Sequence, residues 1–463
     1  MTDLLAARSQ MAISLGFHIL FAVAGMAMPL FMVVAEWRHL RTGEAVYRDL
    51  AQRWAKGTAI LFAVGAVSGT VLSFELGLLW PHFMEHAGPL VGLPFSLEGF
   101  AFFLEAIFLG VYLYGWDRVS PRVHLLSGVA VAISGVVSGV FVTAVNSWMN
   151  TPTGFRVEEG EIVDVNVWAA FFSPAFPTQA THMVLAAYTS VAFIVMGIHA
   201  WGLRKDPRSR FHGRAFGIVF VAALVATPLQ ILSGDFAAKH LASHQPTKLA
   251  AAEALFQTRE GAPLILGGWP DVAAREVHFA LEVPQLLSVL ATGDPEGKVL
   301  GLEEFSEDLW PPVAIVHVAF QVMVACGVVM LLFVIWGATL WWRRRREQSW
   351  VDGRFLRGAT LVAPLGLIAL EAGWVVTEVG RQPWIVRGFM KTADAVTPMP
   401  GLIVPMTTFT LLYLVLGAVV IAMLKAHVFQ VPPEGAGDPS SGGREADPDR
   451  SSGGREPGPE ERR

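Results

Sequence analysis

Two pairs of glutamates stand seven residues apart within apolar stretches of the sequence: Glu98 with Glu105, and Glu371 with Glu378. Seven residues are almost two helical turns, so the carboxyl groups of a pair share one helix face, about 10 Å apart along the axis. Ionisable groups at membrane depth are costly and usually serve a function. The pairs therefore predict a ladder of carboxylates suited to proton relay, provided that water or hydroxyl groups fill the gaps.

Other polar or sulfur-containing side chains in these stretches are candidates for the same chemistry. A lone histidine in a membrane helix serves as often to bond helices together as to bind a metal, and a lone methionine is usually a core residue. Glu75 and His199 are interpreted as structural or interfacial groups. The remaining candidates are His18, His182 and Met323 as ligands, Ser138 and Asn146 as hydrogen-bonding groups, and Arg381 in EAGWVVTEVGRQPW.

The composition identifies a membrane protein. Of 463 residues, 53% are hydrophobic and only 16% are charged, against roughly 25% charged in soluble domains. The single cysteine, Cys326, excludes an internal disulfide, a cysteine-ligated iron–sulfur cluster and a covalent C-x-x-C-H haem attachment. His, Met, Glu or Asp must therefore hold any metal or cofactor.

Nine apolar stretches are long enough to cross a bilayer, which predicts an all-α polytopic fold. Clusters of Arg and Lys follow the first, third, fifth and seventh spans, and the positive-inside rule assigns these turns to the cytoplasm. The N-terminus is then outside and the C-terminus is cytoplasmic. The predicted spans are residues 11–35, 57–80, 96–116, 124–148, 178–203, 214–233, 312–342, 356–379 and 402–428.

This topology divides the chain into four parts. Residues 1–233 carry spans one to six, 234–311 form an outer loop, 312–429 carry the last three spans, and 430–463 form a cytoplasmic tail. The tail repeats SSGGRE and is rich in Gly, Pro and charged residues, so it is expected to be disordered. The outer loop is long enough to be functional.

Several ionisable residues share one depth in this topology. His18, Glu75, Glu98, His182 and Glu378 all fall in the outer half of their spans. A common depth predicts one or two shared sites near the outer face.

The outer loop adds a helix-like piece, PTKLAAAEALFQ, whose Lys248 and Glu253 would, read alone, form an ordinary solvated pair.

Seven ordered motifs resemble subunit I of cytochrome bd-type ubiquinol oxidases, over nearly all of the chain up to Phe429. The outer loop is short, as in the short-loop members of that family, which include cyanide-insensitive oxidases. The motifs are FHILF, PFSLEGFAFFLEAIFLG, NSWMNTP, ATHMVLAAY, PTKLAAAEALF, FQVMVACG and EAGWVVTEVGRQPW.

The resemblance implies four-helix units packed around three haems near the outer face. Low-spin haem b558 would have His182 and Met323 as axial ligands, a pair that suits electron transfer because it leaves no open position. A di-haem site of haem b595 and haem d, or haem b in place of haem d, would use His18, Glu98 and Glu378. The sequence does not divide these three residues between the two irons.

The resemblance also assigns roles outside the iron ligands. Lys248 and Glu253 would lie near the quinol head group in the outer loop, and Arg381 would neutralise haem propionates. Glu105, Ser138 and Asn146 resemble members of the family's proton path. Gln321 departs from well-known members, which carry an arginine there, and this puts the potential of haem b558 in question.

The resemblance thus implies an electrogenic quinol:O2 oxidoreductase of the bacterial cytoplasmic (inner) membrane. It would oxidise ubiquinol or menaquinol outside and reduce O2 to water with cytoplasmic protons, generating a proton motive force without pumping. It would work with subunit II, and with a small single-span subunit in some members, without copper and without nucleic acid. In-membrane histidines are too few and too widely separated for a haem–copper site. A b-type diheme quinone reductase is a further alternative, although it would usually show paired histidines on shared helices.

A proton- or cation-coupled transporter without haem is the alternative from another functional class. Buried carboxylates would suit it, but the sequence shows no obvious inverted repeat or pair of broken helices at the midplane. A transporter would also be colourless.

Overall fold

The computed structural model describes residues 2–159, 161–344 and 351–429, and the predicted tail 430–463 lies outside these residues. The described part is mainly helical. Its helices are α1 (Asp3–Thr42), α2 (Ala45–Leu79), α3 (Pro81–Tyr114), α4 (Pro121–Asn150), α5 (Val167–Phe171), α6 (Phe176–Lys205), α7 (Arg210–His244), α8 (Pro246–Ala252), α9 (Leu286–Thr292), α10 (Val313–Arg344), α11 (Gly353–Val362), α12 (Leu365–Val379), α13 (Thr392–Ala395) and α14 (Ile403–His427).

Nine helical segments of the described chain are long and apolar enough to cross a membrane, which confirms the predicted all-α polytopic fold. They are longer than their apolar stretches, because a helix ends at its caps and not where hydropathy falls. α1, for example, continues to Thr42 and ends where Gly43 adopts a φ of 71° and donates its N–H to His39 O.

Two predicted boundaries differ from the structure in ways that matter for the site. α7 runs to His244 and not to residue 233, so the outer loop begins at Gln245. The eighth span is two helices, α11 and α12, interrupted at Ala363 and Pro364. Proline has no N–H to donate to the helix and clashes with the preceding turn, which explains the interruption.

The long helices form two groups of four, and a ninth helix packs on the outside of the first group. α1, α2, α3 and α4 pack together, and α6, α7, α10 and the α11–α12 segment form the second group. α1 also packs against α6, and α14 covers α1 and α2. The largest apolar core lies where the two groups meet, around Phe31, Phe193 and Phe216.

Ion pairs bring the basic turns to one face of the bundle. Arg210 and Arg214 at the start of α7 each lie 3.0 Å from a carboxylate oxygen of Glu44, which precedes α2. Arg48 of α2 pairs with Asp117 in the α3–α4 turn at 2.5 Å. The assignment of this face to the cytoplasm remains a prediction from the distribution of basic residues.

The connections at the opposite face contain short antiparallel strand pairs. The α4–α6 connection carries one pair, the α7–α10 loop carries three pairs with α8 and α9, and the chain after α12 carries one pair. The pairs are β1 (Arg156–Glu158) with β2 (Glu161–Val163), β3 (Arg259–Glu260) with β8 (Lys298–Val299), β4 (Leu264–Leu266) with β7 (Leu281–Val283), β5 (Trp269–Asp271) with β6 (Glu276–His278), and β9 (Trp384–Val386) with β10 (Met390–Lys391).

Candidate functional site

The end of α12 carries a charged cluster around Glu378. Arg381 Nη2 donates to Glu378 Oε2 at 2.6 Å, and the Asn146 amide of α4 donates to Glu378 Oε1. Arg381 is 6% exposed, and its Nε and Nη1 are buried without a hydrogen-bond partner in the described chain. Spare guanidinium donors in a buried position fit an anionic group such as a haem propionate.

Lys248 of α8 belongs to this same cluster. Its ammonium donates to Asn150 Oδ1 on α4 and, at 3.2 Å, to the backbone carbonyl of Thr377 on α12. Burial, with a further contribution from nearby Arg381, lowers the pKa of Lys248 well below its usual range. Lys248 therefore faces the Glu378 end of α12 and is not the solvated residue that its loop position suggests. Asn150 was missed, although it lies one turn from Asn146 on α4.

Glu253, five residues further on, lies in a different environment. It caps the C-terminus of α8, is 3% exposed, and its Oε2 is buried without a hydrogen-bond partner in the described chain. Burial raises its pKa to about 8. A carboxyl group with this pKa is mostly protonated near neutral pH, and once it has lost its proton to the solvent its carboxylate can take one from a bound donor, so this position suits proton exchange with a ligand in the loop.

His18 of α1 lies beside a serine hydroxyl of α2. Its Nδ1 lies 3.0 Å from the Ser68 hydroxyl, which donates its own proton to Val64 O at 2.9 Å. When the hydroxyl donates to Val64 O it accepts from Nδ1–H, and in this tautomer the lone pair of Nε2 is free for a metal. Gly69 supplies space beside the ring, because a Cβ there would lie 3.0 Å from His18 Cε1.

His182 of α6 has the same arrangement with residues of α7. Its Nδ1 lies 2.9 Å from the Ser233 hydroxyl, which donates to Gln230 O at 2.8 Å, so Nε2 again keeps its lone pair. The Gln230 amide donates to that Nε2 at 3.0 Å. Sequence reasoning missed Ser68, Ser233 and Gln230, because hydroxyl and amide groups are frequent in membrane helices and most bond only to their own helix.

Met323 lies on the face of α10 that meets α12. Its sulfur would be 3.1 Å from a Cβ at Gly373, so the glycine provides the room for it. The turn of α7 that orients His182 also reaches α10, because Ile231 Cδ1 would be 3.3 Å from a Cβ at Gly327, one turn from Met323. Elements that carry His182 and Met323 are therefore packed around the same turn of α7.

The two carboxylates of α3 lie against different small residues. The Ser138 hydroxyl of α4 donates to Glu98 Oε1 at 3.1 Å. Glu105 is 5% exposed, and its Oε1 is buried without a hydrogen-bond partner in the described chain. It lies between Gly25 of α1 and Gly135 of α4, whose added Cβ atoms would approach that oxygen to 3.3 and 3.1 Å.

Two further carboxylates of the spans are Glu371, which is partly buried, and Glu75, which is buried. Glu371 Oε1 has no hydrogen-bond partner in the described chain, and its Oε2 would lie 3.3 Å from a Cβ at Gly16, two residues before His18 on α1. Glu75 accepts from Gln10 and Ser14 at 2.9 Å each. The interpretation of Glu75 as structural agrees with these bonds, but its 3% exposure places it inside the bundle.

Gln321 holds the outer loop against α10. Its carbonyl oxygen accepts from Gly267 N at 3.0 Å and its amide donates to Ile265 O at 2.9 Å. One turn earlier, His317 is fully buried with its ring nitrogens 2.9 Å from Ala252 O and 3.0 Å from Gly267 O. The position at which the sequence departs from an arginine is therefore a contact with the loop backbone.

Comparison with known proteins gives one consistent result. Residues 6–432 match the family model described as cytochrome bd terminal oxidase subunit I. A protein of Bacillus subtilis (strain 168), provisionally named subunit I of a cytochrome bd menaquinol oxidase, is 39% identical over 92% of this chain and 96% of its own length. Subunit 1 of the cytochrome bd ubiquinol oxidase of the same strain is 31% identical over 91% of this chain and 92% of its own length.

The fold agrees with a solved structure. A chain in the structure of the bd oxidase from Geobacillus thermodenitrificans superimposes with a TM-score of 0.86 at 41% sequence identity. The match covers 92% of this chain and 99% of that one.

Proposed function

Because the chain belongs to the cytochrome bd terminal oxidase subunit I family, we propose the following roles for its residues. Members of this family are haem-carrying, multi-pass membrane subunits of quinol oxidases and work with subunit II. His182 and Met323 would hold haem b558 and supply the ligands for its electron transfer. His18, Glu98 and Glu378 hold the high-spin pair, haem b595 with haem d or a further haem b. The observation that carries this proposal is that a serine hydroxyl lies at Nδ1 of each histidine, an arrangement that leaves Nε2 on the other side of the ring for a haem iron, with the Gln230 amide at Nε2 of His182.

The charged and polar groups around Glu378 are suited to binding a haem with anionic propionates. Arg381 and Asn146 both donate to the Glu378 carboxylate, while Arg381 keeps two buried donors free for propionate oxygens. When bound, the haems would supply electron transfer from quinol and the reduction of O2. The chain itself would hold their ligands in one orientation and exclude bulk water.

Quinol oxidation is proposed at the outer loop, with Glu253 as the group that takes a quinol proton. Its carboxyl group is buried, lacks a hydrogen-bond partner in the described residues and has a pKa of about 8. Lys248 then acts mainly as a positioning residue, because its ammonium binds Asn150 and Thr377 O. Either ubiquinol or menaquinol fits this description.

Protons for the reduction of O2 are proposed to come from the cytoplasm through Glu105, past Ser138, to Glu98. Ser138 donates to Glu98, and Glu105 lies seven residues further into the membrane on α3. Asn146, at Glu378, lies at the outer end of the same path. With quinol protons released outside, this sidedness would create a proton motive force without pumping, in the bacterial inner membrane.

The experiment that tests the proposed cofactors is a dithionite-reduced minus air-oxidised visible spectrum of the purified complex. A b-type alpha band with a red-shifted chlorin band is expected if haem d is present, and b-type bands alone if a haem b replaces it. A colourless, fully assembled complex would overturn the ligand assignments and favour a haem-free transporter.

A further inference from the structure

The outer loop contains one bent hairpin, residues 264–283, which none of the roles proposed above uses. β4 and β5 form its first arm, β6 and β7 form its second arm, and the turn at 272–275 joins them. The arms bend where Gly267 and Gly268, with φ of 67° and 91°, face the segment of Phe279 and Ala280. A Cβ at Gly268 would lie 3.0 Å from Ala280 Cβ, so the arms are in close contact at this corner.

Phe279 stands on the outside of the corner. Its side chain is 98% exposed, and its φ of 59° lies in the left-handed region that favours glycine. A bulky residue with such a φ is a conformational outlier, so the geometry of the bend does not explain a phenylalanine here. The exposed ring indicates a contact with something outside the described chain.

Three more large apolar side chains lie exposed at the same corner. Leu266 and Leu281 are cross-strand partners and are 40% and 65% exposed, and Trp269 at the start of β5 is 59% exposed. Exposed apolar side chains that cluster in this way mark an interaction site. We call Leu266, Trp269, Phe279 and Leu281 the corner patch.

The tip of the hairpin is polar and lies at the beginning of α10. Asp271 and His278 form an ion pair at 3.6 Å, and Arg275 pairs with Glu307 in the segment that precedes α10. Val272 of the turn lines one cleft together with residues just before α10 and the first residue of that helix. The tip is thus level with the start of α10.

The corner lies further along α10 than the tip. Gly267 O lies 3.0 Å from His317 Nε2, and Gly267 N donates to Gln321 Oε1 at 3.0 Å. His317 and Gln321 stand four and eight positions after Val313, where α10 begins. These intervals are about 6 and 12 Å along the helix axis, so the corner is well inside the length of α10.

The other end of α10 shows where the bilayer lies. Trp341 and Trp342 are 50% and 64% exposed and precede Arg343 and Arg344, an arrangement typical of a membrane interface. Because about 20 helical residues cross the hydrocarbon core, counting back from Trp341 reaches Gln321 at the opposite boundary. The corner is therefore level with the boundary between acyl chains and head groups, and the tip lies about 12 Å further out.

The surface of α10 next to the corner is also apolar and exposed. Val322 and Val324 flank the Gln321 face of the helix and are 38% and 39% exposed. Such residues on a membrane-spanning helix face lipid. The corner patch continues this lipid-facing surface outward from the helix.

We propose that the corner patch inserts into the membrane interface beside α10, with phospholipid acyl chains as its binding partner. The tryptophan suits this depth, and apolar faces of interfacial elements are usually buried about 5–10 Å into the boundary region. The two arms bond to each other, which satisfies their facing N–H and C=O groups away from water. The polar tip remains among head groups and water, so the hairpin anchors the outer loop to the membrane as well as to α10.

The test measures the depth of a nitroxide spin label on the complete complex with subunit II in phospholipid vesicles. The label is attached to Phe279→Cys, in a background in which Cys326 and any cysteine of subunit II are replaced by serine. Power saturation compares collisions with O2, which concentrates among acyl chains, with collisions with a nickel chelate, which stays in water. We expect the ratio of O2 to nickel accessibility to be at least about fivefold higher than at a water-exposed position.

Glu276→Cys is the matched control, because Glu276 is exposed on β6 beside the polar tip of the same hairpin. Its label should show the low ratio of a group in water. Equal ratios at the two positions would place the whole hairpin in water and overturn the proposal. A label at Phe279→Cys that is shielded from both reagents would also overturn it, because a protein surface would then cover the patch.

Leu281→Cys repeats the measurement without altering the bend. Leu281 lies in the paired strand β7 and has no positive φ. Its label should show the same high ratio as the label at Phe279→Cys, and a ratio like that of Glu276→Cys would overturn the proposal. All three labelled complexes should keep the wild-type haem spectrum, so failure of the lipid contact would leave the proposed haem ligands untouched.

Discussion

Arg381 and Glu378, one turn apart at the end of α12, are joined by a 2.6 Å bond between Nη2 and Oε2. Arg381 uses Nη2 for this bond, and its Nε and Nη1 are buried without partners in the described chain. It joins the residue proposed as an iron ligand to the residue proposed to meet the propionates. A substitution at either position should therefore affect the other.

The coupling of this pair can be measured directly. Arg381→Gln and Glu378→Gln should each lower the content of high-spin haem, because each leaves a buried group without its partner. Thermal unfolding of both single variants and the double variant should give a coupling free energy of about 1–3 kcal/mol. Strictly additive effects would mean that the two side chains act independently.

The proposed ligands of haem b558 give a second prediction. Met323→Leu should shift or abolish the low-spin b558 band in the reduced-minus-oxidised spectrum, while His182→Ala should also impair assembly. Met330→Leu is the control, because Met330 lies on the same helix but is a buried core residue. A wild-type band in both Met323→Leu and His182→Ala would contradict the ligand assignment.

The hydroxyl groups beside the histidines should affect haem content almost as strongly as the proposed ligands themselves. Ser233→Ala removes the acceptor for His182 Nδ1–H, and Ser68→Ala does the same for His18. Loss of such a partner typically lowers metal affinity or activity 10- to 100-fold. We expect Ser233→Ala to reduce haem b558 alone and Ser68→Ala to reduce high-spin haem alone. Haem extraction with spectral quantitation measures both contents. Loss of the same haem in both variants would mean that the two histidines serve one haem.

Glu253 predicts a characteristic dependence on pH. Its pKa of about 8 means that the carboxyl group is mostly protonated at pH 7, so its capacity to accept a quinol proton grows as pH rises through 8. Quinol oxidation should rise over the same range, and Glu253→Gln should slow turnover and flatten this rise without removing haem. Glu260→Gln, an exposed carboxylate of the same loop, is the control. Unchanged turnover in Glu253→Gln would exclude the loop carboxylate from the reaction.

The same pKa makes a separate prediction for stability. The folded-state pKa is raised, so Glu253 carries no penalty at low pH, where it is neutral in both states. As pH rises from about 4.5 to about 8, the unfolded chain loses this proton while the folded chain keeps it, so the free energy of unfolding falls, and the decrease levels off above pH 8. Denaturation of Glu253→Gln from pH 4 to pH 9 should lack this decrease.

Gln321 should control the order of the outer loop. Its amide makes two bonds to the loop backbone, at Gly267 N and Ile265 O. At about 1 kcal/mol for each bond, Gln321→Leu should raise hydrogen exchange in this segment roughly 10- to 30-fold. Gln257→Leu, at an exposed position of the same loop, should leave it unchanged. Equal exchange in both variants would mean that the loop is held by its other contacts.

The helices were predictable because apolar length alone determines which segments span a membrane. The ends were not, because they depend on caps such as Gly43 and on the break at Pro364. Charged residues at membrane depth identified the candidate site. Their partners were hidden, since Ser68 and Ser233 matter only through the orientation of a histidine on another helix. Lys248 was placed in the loop correctly, but its burial against Asn150 depends on tertiary packing.

The tie from Lys248 to Asn150 and Thr377 bears on how such oxidases diversify. A surface loop can normally be exchanged between relatives during evolution. In this loop, however, Lys248 is buried against the transmembrane helices α4 and α12. Grafting the loop of a relative onto this chain would leave Asn150 without its cation unless the graft supplied a lysine at the same depth. Changes of quinone preference are therefore expected to accumulate beyond α8, while the first turn of α8 is inherited together with the helices below it.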